Sequence, residues 1–352
     1  NVEYSVNKLN DSTIITGKGS IIEKRKPVGQ YKKIIENSLG YIAQLDTSLN
    51  LWVSKEQSLS KYYANTAYYS CDSIHFKEKI RSALIDGNDL WIGTGAKKRK
   101  NAQGELFLIN LSNPGIAVPK SILHTPQMIT SLVKFNDTLV FCGTQQGLYK
   151  YDQKNDRLSK IRGLEKMHIR SMYQSKNSLW ITTYEDGFFL YKDAKIWSFP
   201  LDENRYLATA HCIIEDDNGF FWITTNKGLF QVLKKNLMDY LEDKNTPIYY
   251  HYYDKASGFS SNEFNGGGSP CGIQLSNQDI VLPSLDGLVY FNPLLVHPKV
   301  PDDNIYIDEI IVDGERRFIK ESLTLENAGR ITFQISSPFY GNPYNHQIEI
   351  QV

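Results

Sequence analysis

Arg81, Thr130, Arg170 and His211 occupy one equivalent position in four copies of a recurring sequence unit. A second equivalent position, further along each unit, is held by Gln145-Gln146, Tyr184-Glu185-Asp186, Asn226-Lys227 and Leu285-Asp286. If the units fold alike, both positions converge on one rim. Two guanidiniums and an imidazole there favour a carboxylated or sulfated ligand, because a guanidinium grips such groups through two parallel N–H donors. Tyr184 offers a ring that can stack on a sugar, and Glu185 and Asn226 offer hydrogen bonds. The plain alternative is that these polar side chains bind only water or one another.

Other chemistry finds less support. A glycosidase or lyase needs an acid and a base on one face, on the order of 5–10 Å apart. Glu185 and Asp186 are adjacent in a strand turn and point apart. Asp216 and Asp217 fall in a loop on the opposite face, and their Asp-Asp-Asn-Gly context reads as a turn. His251, within Tyr249-Tyr250-His251-Tyr252-Tyr253, sits in an alternating outer strand, and no His-x-His or Cys-x-x-Cys spacing supports a metal. Gly93-Thr94-Gly95 belongs to the repeat rather than to a phosphate loop. Gly266-Gly267-Gly268 carries no lysine and reads as a flexible or tight-turn connector. No cofactor is expected.

What must position the rim is the repeat itself. Its sentence is an apolar residue, Trp, a β-branched residue, a small residue, Thr, then Gly and an aromatic. Leu179-Trp180-Ile181-Thr182-Thr183 leads to Gly187-Phe188-Phe189, and Phe221-Trp222-Ile223-Thr224-Thr225 to Gly228-Leu229-Phe230. Val140-Phe141-Cys142-Gly143-Thr144 and Ile280-Val281-Leu282-Pro283 vary it, while Leu90-Trp91-Ile92-Gly93-Thr94 and Leu51-Trp52-Val53-Ser54 open it again. The marker positions 52, 91, 141, 180, 222 and 281 lie 39, 50, 39, 42 and 59 residues apart, with a weaker seventh copy at Thr13-Ile14-Ile15-Thr16. A propeller blade repeats every ~40–45 residues, as do some helical repeats. The short β-branched and aromatic segments, broken by Asp/Asn/Gly turns such as Asp86-Gly87-Asn88-Asp89, decide for strands. Only Lys234 to Asp243 reads as a helix.

The expected fold is therefore all-β: a seven-bladed β-propeller over residues 1–297. In each blade the first strand (Ile80-Arg81-Ser82-Ala83-Leu84, for example) lines the central channel. The loop between second and third strands returns to the face where the first strand began. That geometry places Arg81, Thr130, Arg170 and His211 beside Tyr184, Glu185 and Asn226. The two long spacings hold an inserted loop (Lys97 to Gly104) and a stretch containing the helix and a Gly-rich segment, Ser257 to Pro270; such insertions destabilise little.

Thirty-nine basic residues balance thirty-nine acidic ones. That excludes broad electrostatic nucleic-acid binding, and the Lys97-Lys98-Arg99-Lys100 run reads as a solvated loop. No apolar run is long enough to span a bilayer. The chain begins with Asn and shows no signal peptide, as expected of an excised or mature fragment. Four cysteines are too few for a disulfide scaffold. They read as free thiols, with Cys142 and Cys212 in strand cores and Cys71 and Cys271 in or near loops.

After Asn292-Pro293 the repeat stops. Residues 298–352, with Ile305-Tyr306-Ile307, a Val312-Asp313-Gly314-Glu315 turn and Arg330-Ile331-Thr332-Phe333-Gln334-Ile335-Ser336, read as part of a small β-sandwich. A complete sandwich takes ~100 residues, so a truncated domain or an open edge is expected.

The repeats resemble the two-component regulator propeller repeat. Gly258-Phe259-Ser260-Ser261-Asn262-Glu263-Phe264-Asn265, then Asp286-Gly287-Leu288-Val289-Tyr290-Phe291-Asn292-Pro293, resembles that family's last blade. Ser337-Pro338-Phe339-Tyr340-Gly341-Asn342-Pro343-Tyr344 resembles the start of the Y_Y_Y domain that follows such propellers. The resemblance implies the periplasmic sensor region of a membrane-bound histidine kinase, in many relatives a hybrid kinase of Bacteroides-type bacteria that reports on polysaccharide breakdown products. Relatives often carry two tandem propellers before the Y_Y_Y module, then a transmembrane helix and the kinase core. This chain holds one propeller, part of the module, and no kinase His box or nucleotide-binding Gly motif, so no catalysis is expected of it.

The ligand implied is an oligosaccharide or other small molecule, carboxylated or sulfated if the rim arginines bind it. The full-length receptor is implied to be a homodimer. Two other functions compete: a propeller polysaccharide lyase or glycosidase, which lacks an acid/base pair, and a propeller that only binds proteins.

Overall fold

The structure is a computed structural model that describes residues 3–10, 13–18, 21–25, 31–36, 42–96, 103–112, 115–298, 304–317, 324, 329–346 and 348. The Lys97-Lys98-Arg99-Lys100 run and Pro301 lie outside the described residues. The chain divides into two compact units, Asn1–Val296 and His297–Val352.

The first unit is built of antiparallel sheets. Six have four strands and the last has three, each following the chain as a meander. We number these sheets first to seventh in chain order. Their inner strands are Glu3–Asn10, Ala43–Leu45, Ile80–Asp86, Ile129–Lys134, Ile169–Ser175, Ala210–Glu215 and Ile273–Gln274. From the first to the sixth, each inner strand lies beside the next, and the first also lies beside the opening strands of the seventh. The architecture is all-β and propeller-like, as the repeat predicts. The helix expected near Lys234 is present as Lys234–Glu242.

Burial explains the repeat's apolar letters. Ile14, Trp52, Trp91, Phe141, Trp180, Trp222 and Val281, the seven marker positions, are each no more than 1% exposed. The second strands are buried on both faces, which is why they read as continuous apolar runs rather than alternating ones. A sheet sandwiched between two others has no face left for water.

The small and hydroxyl letters have separate causes. A methyl built on Gly93 would sit 2.3 Å from Ser82 Oγ and 2.6 Å from Ile129 Cγ2. The next sheet's inner strand approaches so closely that a side chain there must be small or must join the contact. Thr182 joins it by donating its hydroxyl to the His211 carbonyl at 3.0 Å. The following Thr closes the second-to-third hairpin. Thr144, Thr183 and Thr225 donate to the carbonyls of Gly147, Gly187 and Gly228 at 2.8, 2.7 and 2.9 Å, and Ser284 does the same to Gly287 at 2.8 Å. The repeat thus fixes both the inner-strand start and the loop that meets it on the rim.

Asp216 is a turn residue, as expected. Its Oδ1 accepts the Asn218 and Phe220 amides at 2.9 and 3.0 Å.

The cysteine expectation needs correction. Cys212 and Cys271 form a disulfide, with their Cα atoms 5.9 Å apart. They meet because the chain from Phe264 to Gly272 does not follow the repeat but crosses the inner strands and returns to the sixth sheet. Cys142 is a buried free thiol, its pKa pushed up to about 12 by burial. Cys71 is an exposed free thiol at the start of an outer strand, Cys71–His75.

In the second unit Tyr306–Val312 pairs with both Glu315–Arg317 and Ile331–Ser336 in a three-stranded sheet. Asp313 and Gly314 turn the hairpin with φ of 49° and 90°.

Candidate functional site

Arg81, Thr130 and Arg170 line one cavity of about 400 Å³ at the starts of the inner strands, together with Lys79, Glu56, His168 and the backbone of Gly266–Ser269. Each is delivered by the same local logic. The inner strand's first buried residue (Ile80, Ile129 or Ile169) faces the sheet interface, and the next side chain turns to the mouth. Lys79 and His168 precede those isoleucines and reach the same space.

The three residues hold different partners. Arg81 donates Nε–H to the Gly95 carbonyl at 3.0 Å, which orients its guanidinium. Thr130 donates its hydroxyl to the Ile169 carbonyl at 2.7 Å, so it braces the next inner strand as well as lining the mouth. Arg170 lies with its guanidinium carbon 5.5 Å from the Tyr184 ring centroid, a cation–π contact. Burial lowers its pKa. Among the described residues no carboxylate pairs with it, and its buried Nε has no hydrogen-bond partner. A guanidinium stays protonated even so. It is a largely desolvated charge whose one contact of charge type among the described residues is the Tyr184 ring.

His211 stands behind this wall. It is 1% exposed, its Nε2 lies 2.6 Å from Asn226 Oδ1, and its Nδ1 has no partner. Burial first, and the Arg170 charge second, push its pKa down to about 4. At neutral pH it is uncharged, so the positive charge of the mouth comes from Arg81 and Arg170 and not from the imidazole. Lys79 adds none, because it is paired with Glu56.

Tyr184 is partly exposed and also lies 5.9 Å from the His168 ring. Asn226 reaches the group only through His211. Glu185 is exposed, takes φ of 90° in the Thr183–Gly187 hairpin and, like Tyr184, lies outside the cavity lining.

Sequence reasoning did not foresee Lys79, Glu56, His168 or Gly266–Ser269. The first and third carry a usable signal, since both immediately precede the inner strand's leading isoleucine. The glycines carry none, because they stand outside the repeat. Gly266 comes close enough to His211 and Arg170 that a methyl on it would sit 2.3 Å from Nδ1 and 2.7 Å from a guanidinium nitrogen.

Among the described residues no cluster of His, Cys, Asp and Glu could hold a metal ion, and no helix is long and apolar enough to cross a membrane.

No family model matches the chain, and no curated protein matches it. Solved structures do. One is the extracellular domain assigned to a hybrid two-component system of B. thetaiotaomicron, with a TM-score of 0.64 and 21% identity, covering 93% of this chain and 43% of that one. A second extracellular domain of the same kind and organism gives 0.62 at 15% identity, covering 89% and 40%. A computationally designed protein, Ika8, gives 0.53 at 10% identity, covering 83% and 96%. At these identities the likeness shows the fold. The chain spans less than half the length of the two extracellular domains.

Proposed function

We propose that this chain is the extracytoplasmic ligand-sensing module of a two-component histidine kinase, its ligand an oligosaccharide bearing a carboxylate or sulfate. The observation that carries the reading is Arg170, a largely buried guanidinium with no carboxylate partner among the described residues, set on the Tyr184 ring and facing the cavity that Arg81 shares. Unpaired buried charge is costly and is kept where a ligand completes it. Arg170 and Arg81 would grip the anionic group, and Tyr184 would stack on the sugar ring.

The wider reading fits the same facts. The seven sheets of the first unit are a seven-bladed propeller, and the second unit is the opening of a Y_Y_Y sandwich that passes the ligand's bias toward a membrane and a kinase. Homodimerisation of the full receptor would convert that bias into a signal, for which a few kcal/mol of differential affinity suffices. A disulfide between Cys212 and Cys271 suits the periplasm, where such bonds persist. The extracellular domains that share the fold agree with this placement. An enzymatic reading finds no pair of carboxylates in the mouth: among the described lining residues Glu56 is the one carboxylate, and it is paired with Lys79.

The test is a thermal-shift screen against sulfated and uronic-acid oligosaccharides, followed by affinities for Arg81→Ala and Arg170→Ala. A ligand should raise the melting temperature. Binding that neither substitution weakens would remove the mouth from the site; substrate turnover would replace sensing by catalysis.

A further inference from the structure

We propose that the Cys212–Cys271 disulfide is a thiol–disulfide control site for the mouth cavity, with a dithiol reductant as its exchange partner. The strap Phe264–Gly272 leaves the sixth and seventh sheets, where the Phe264 and Asn265 amides donate to the Thr225 and Pro283 carbonyls at 3.1 Å each. It crosses to the second and third sheets. There the Ala43 amide donates to the Ser269 carbonyl at 3.2 Å, and Ser269 Oγ to the Ala83 carbonyl at 3.2 Å. It then returns to the sixth sheet, where Cys271 bonds to Cys212 of the inner strand.

The crossing makes the strap a septum. Gly266–Ser269 wall the mouth cavity, while Gly268–Gln274 wall a second cavity of about 410 Å³ along the inner strands. Glycine is required at one point of the crossing: a methyl on Gly268 would lie 1.5 Å from the Tyr4 carbonyl oxygen. Three consecutive glycines lose much conformational freedom on ordering, and that loss is opposed by the hydrogen bonds at Phe264, Asn265 and Ser269 and by the disulfide. The covalent pin at Cys271 therefore adds to what keeps the septum in place. Since Gly266 is the wall against Arg170 and His211, the pin also sets the shape in which Arg170 meets the cavity.

Cys212 and Cys271 both line the second cavity, but Cys212 is buried and Cys271 half-buried, so Cys271 is the one approached from that side. One thiolate of the dithiol attacks Cys271 Sγ. The protein S–S bond breaks, and Cys212 Sγ leaves as a thiolate that takes up a proton. The second thiol of the reductant then closes on its own bound sulfur, expelling the Cys271 thiolate. Two electrons pass from the dithiol, which becomes a disulfide, to the protein, which gains two thiols.

The test is hydrogen exchange read peptide by peptide, with and without dithiothreitol, alkylation confirming the two new thiols. It needs no ligand, so it can fail independently of the sensing reading. Reduction should speed exchange at residues 264–272 and at Ala43 at least tenfold and leave residues 139–144, in the fourth sheet, unchanged. Cys212→Ser/Cys271→Ser should show the fast strap without reductant and no response to it. Three results would overturn the proposal: a disulfide that dithiothreitol cannot reduce in the folded protein, a reduced protein whose strap stays protected, or protection lost across all sheets together.

Discussion

The indole N–H of Trp222 donates to Asp216 Oδ2 at 2.8 Å, and that of Trp52 donates to Asp46 Oδ2 at 3.0 Å. In both sheets the aspartate stands six residues before the tryptophan and ends the inner strand's hairpin. The bond ties the first-to-second loop to the largest fully buried side chain of the sheet. Trp91 and Trp180 have Ile85 and Gln174 at that offset, and their buried indole nitrogens have no partner. Asp216→Ala should therefore destabilise the fold by about 1–3 kcal/mol, since it orphans an indole and two turn amides. Urea denaturation should show the midpoint falling with the slope unchanged. Ligand affinity should not move, because Asp216 lies at the far end of its strand from the mouth.

Arg170 predicts an opposed pair of effects. Its guanidinium is desolvated without a carboxylate, so replacing it by an apolar side chain of similar length removes a penalty. Arg170→Met should melt at the wild-type temperature or above it. The same variant should lose at least tenfold in affinity for a sulfated or uronic-acid oligosaccharide that the wild type binds. Calorimetric titration beside a melting curve separates the two. A fall in stability equal to the loss of affinity would make Arg170 structural.

His211 sets a pH dependence with a definite sign. Its folded pKa is pushed down to about 4 from an ordinary value of 6.5, so the unfolded chain binds the proton more readily. The stabilisation is fully present above about pH 6.5 and is lost as pH falls toward 4. For this buried group the whole swing is roughly 3 kcal/mol. His251, pushed to about 4 by burial, acts in the same direction. Melting temperatures measured from pH 7.5 to 4.5 should fall, and His211→Gln should flatten the slope between 6.5 and 4.5. A slope unchanged by that substitution would place the titration elsewhere.

How much of this was legible follows from which residues obey the repeat. Trp180 and Thr182 answer to the neighbouring sheet and Thr183 to its own hairpin, and these surroundings repeat from sheet to sheet, so the same letters recur and the fold can be read from them. Arg81, Thr130 and Arg170 vary at a fixed position of that repeat, and so their common cavity could be anticipated. His211 could be placed but not its charge, which depends on burial behind Gly266 and on the nearness of Arg170. Glu185 and Tyr184 sit at a hairpin tip outside the cavity lining, and the repeat does not fix where a tip side chain goes. The strap and its disulfide were illegible: Cys212 and Cys271 are 59 residues apart, and Cys271 lies in a segment with no counterpart elsewhere in the chain.

The repeat's small letter supplies a last test, because glycine and threonine satisfy it in opposite ways. At Gly143 an added methyl would sit 2.5 Å from Ser131 Oγ and 2.7 Å from Ile169 Cγ2, both on inner strands that carry the mouth. At Thr182 the side chain already reaches across to the His211 carbonyl. Gly143→Ala should destabilise by overpacking, about 1–3 kcal/mol. Thr182→Ala should destabilise by an orphaned carbonyl, about 1 kcal/mol. The two differ in what they do to the rim. Gly143→Ala pushes on Ile169, beside Arg170, and should weaken ligand binding along with stability. Thr182→Ser keeps the hydroxyl and should restore most of the stability that Thr182→Ala loses. If Gly143→Ala were silent in both denaturation and binding, close approach of the next inner strand would not be why that position is small.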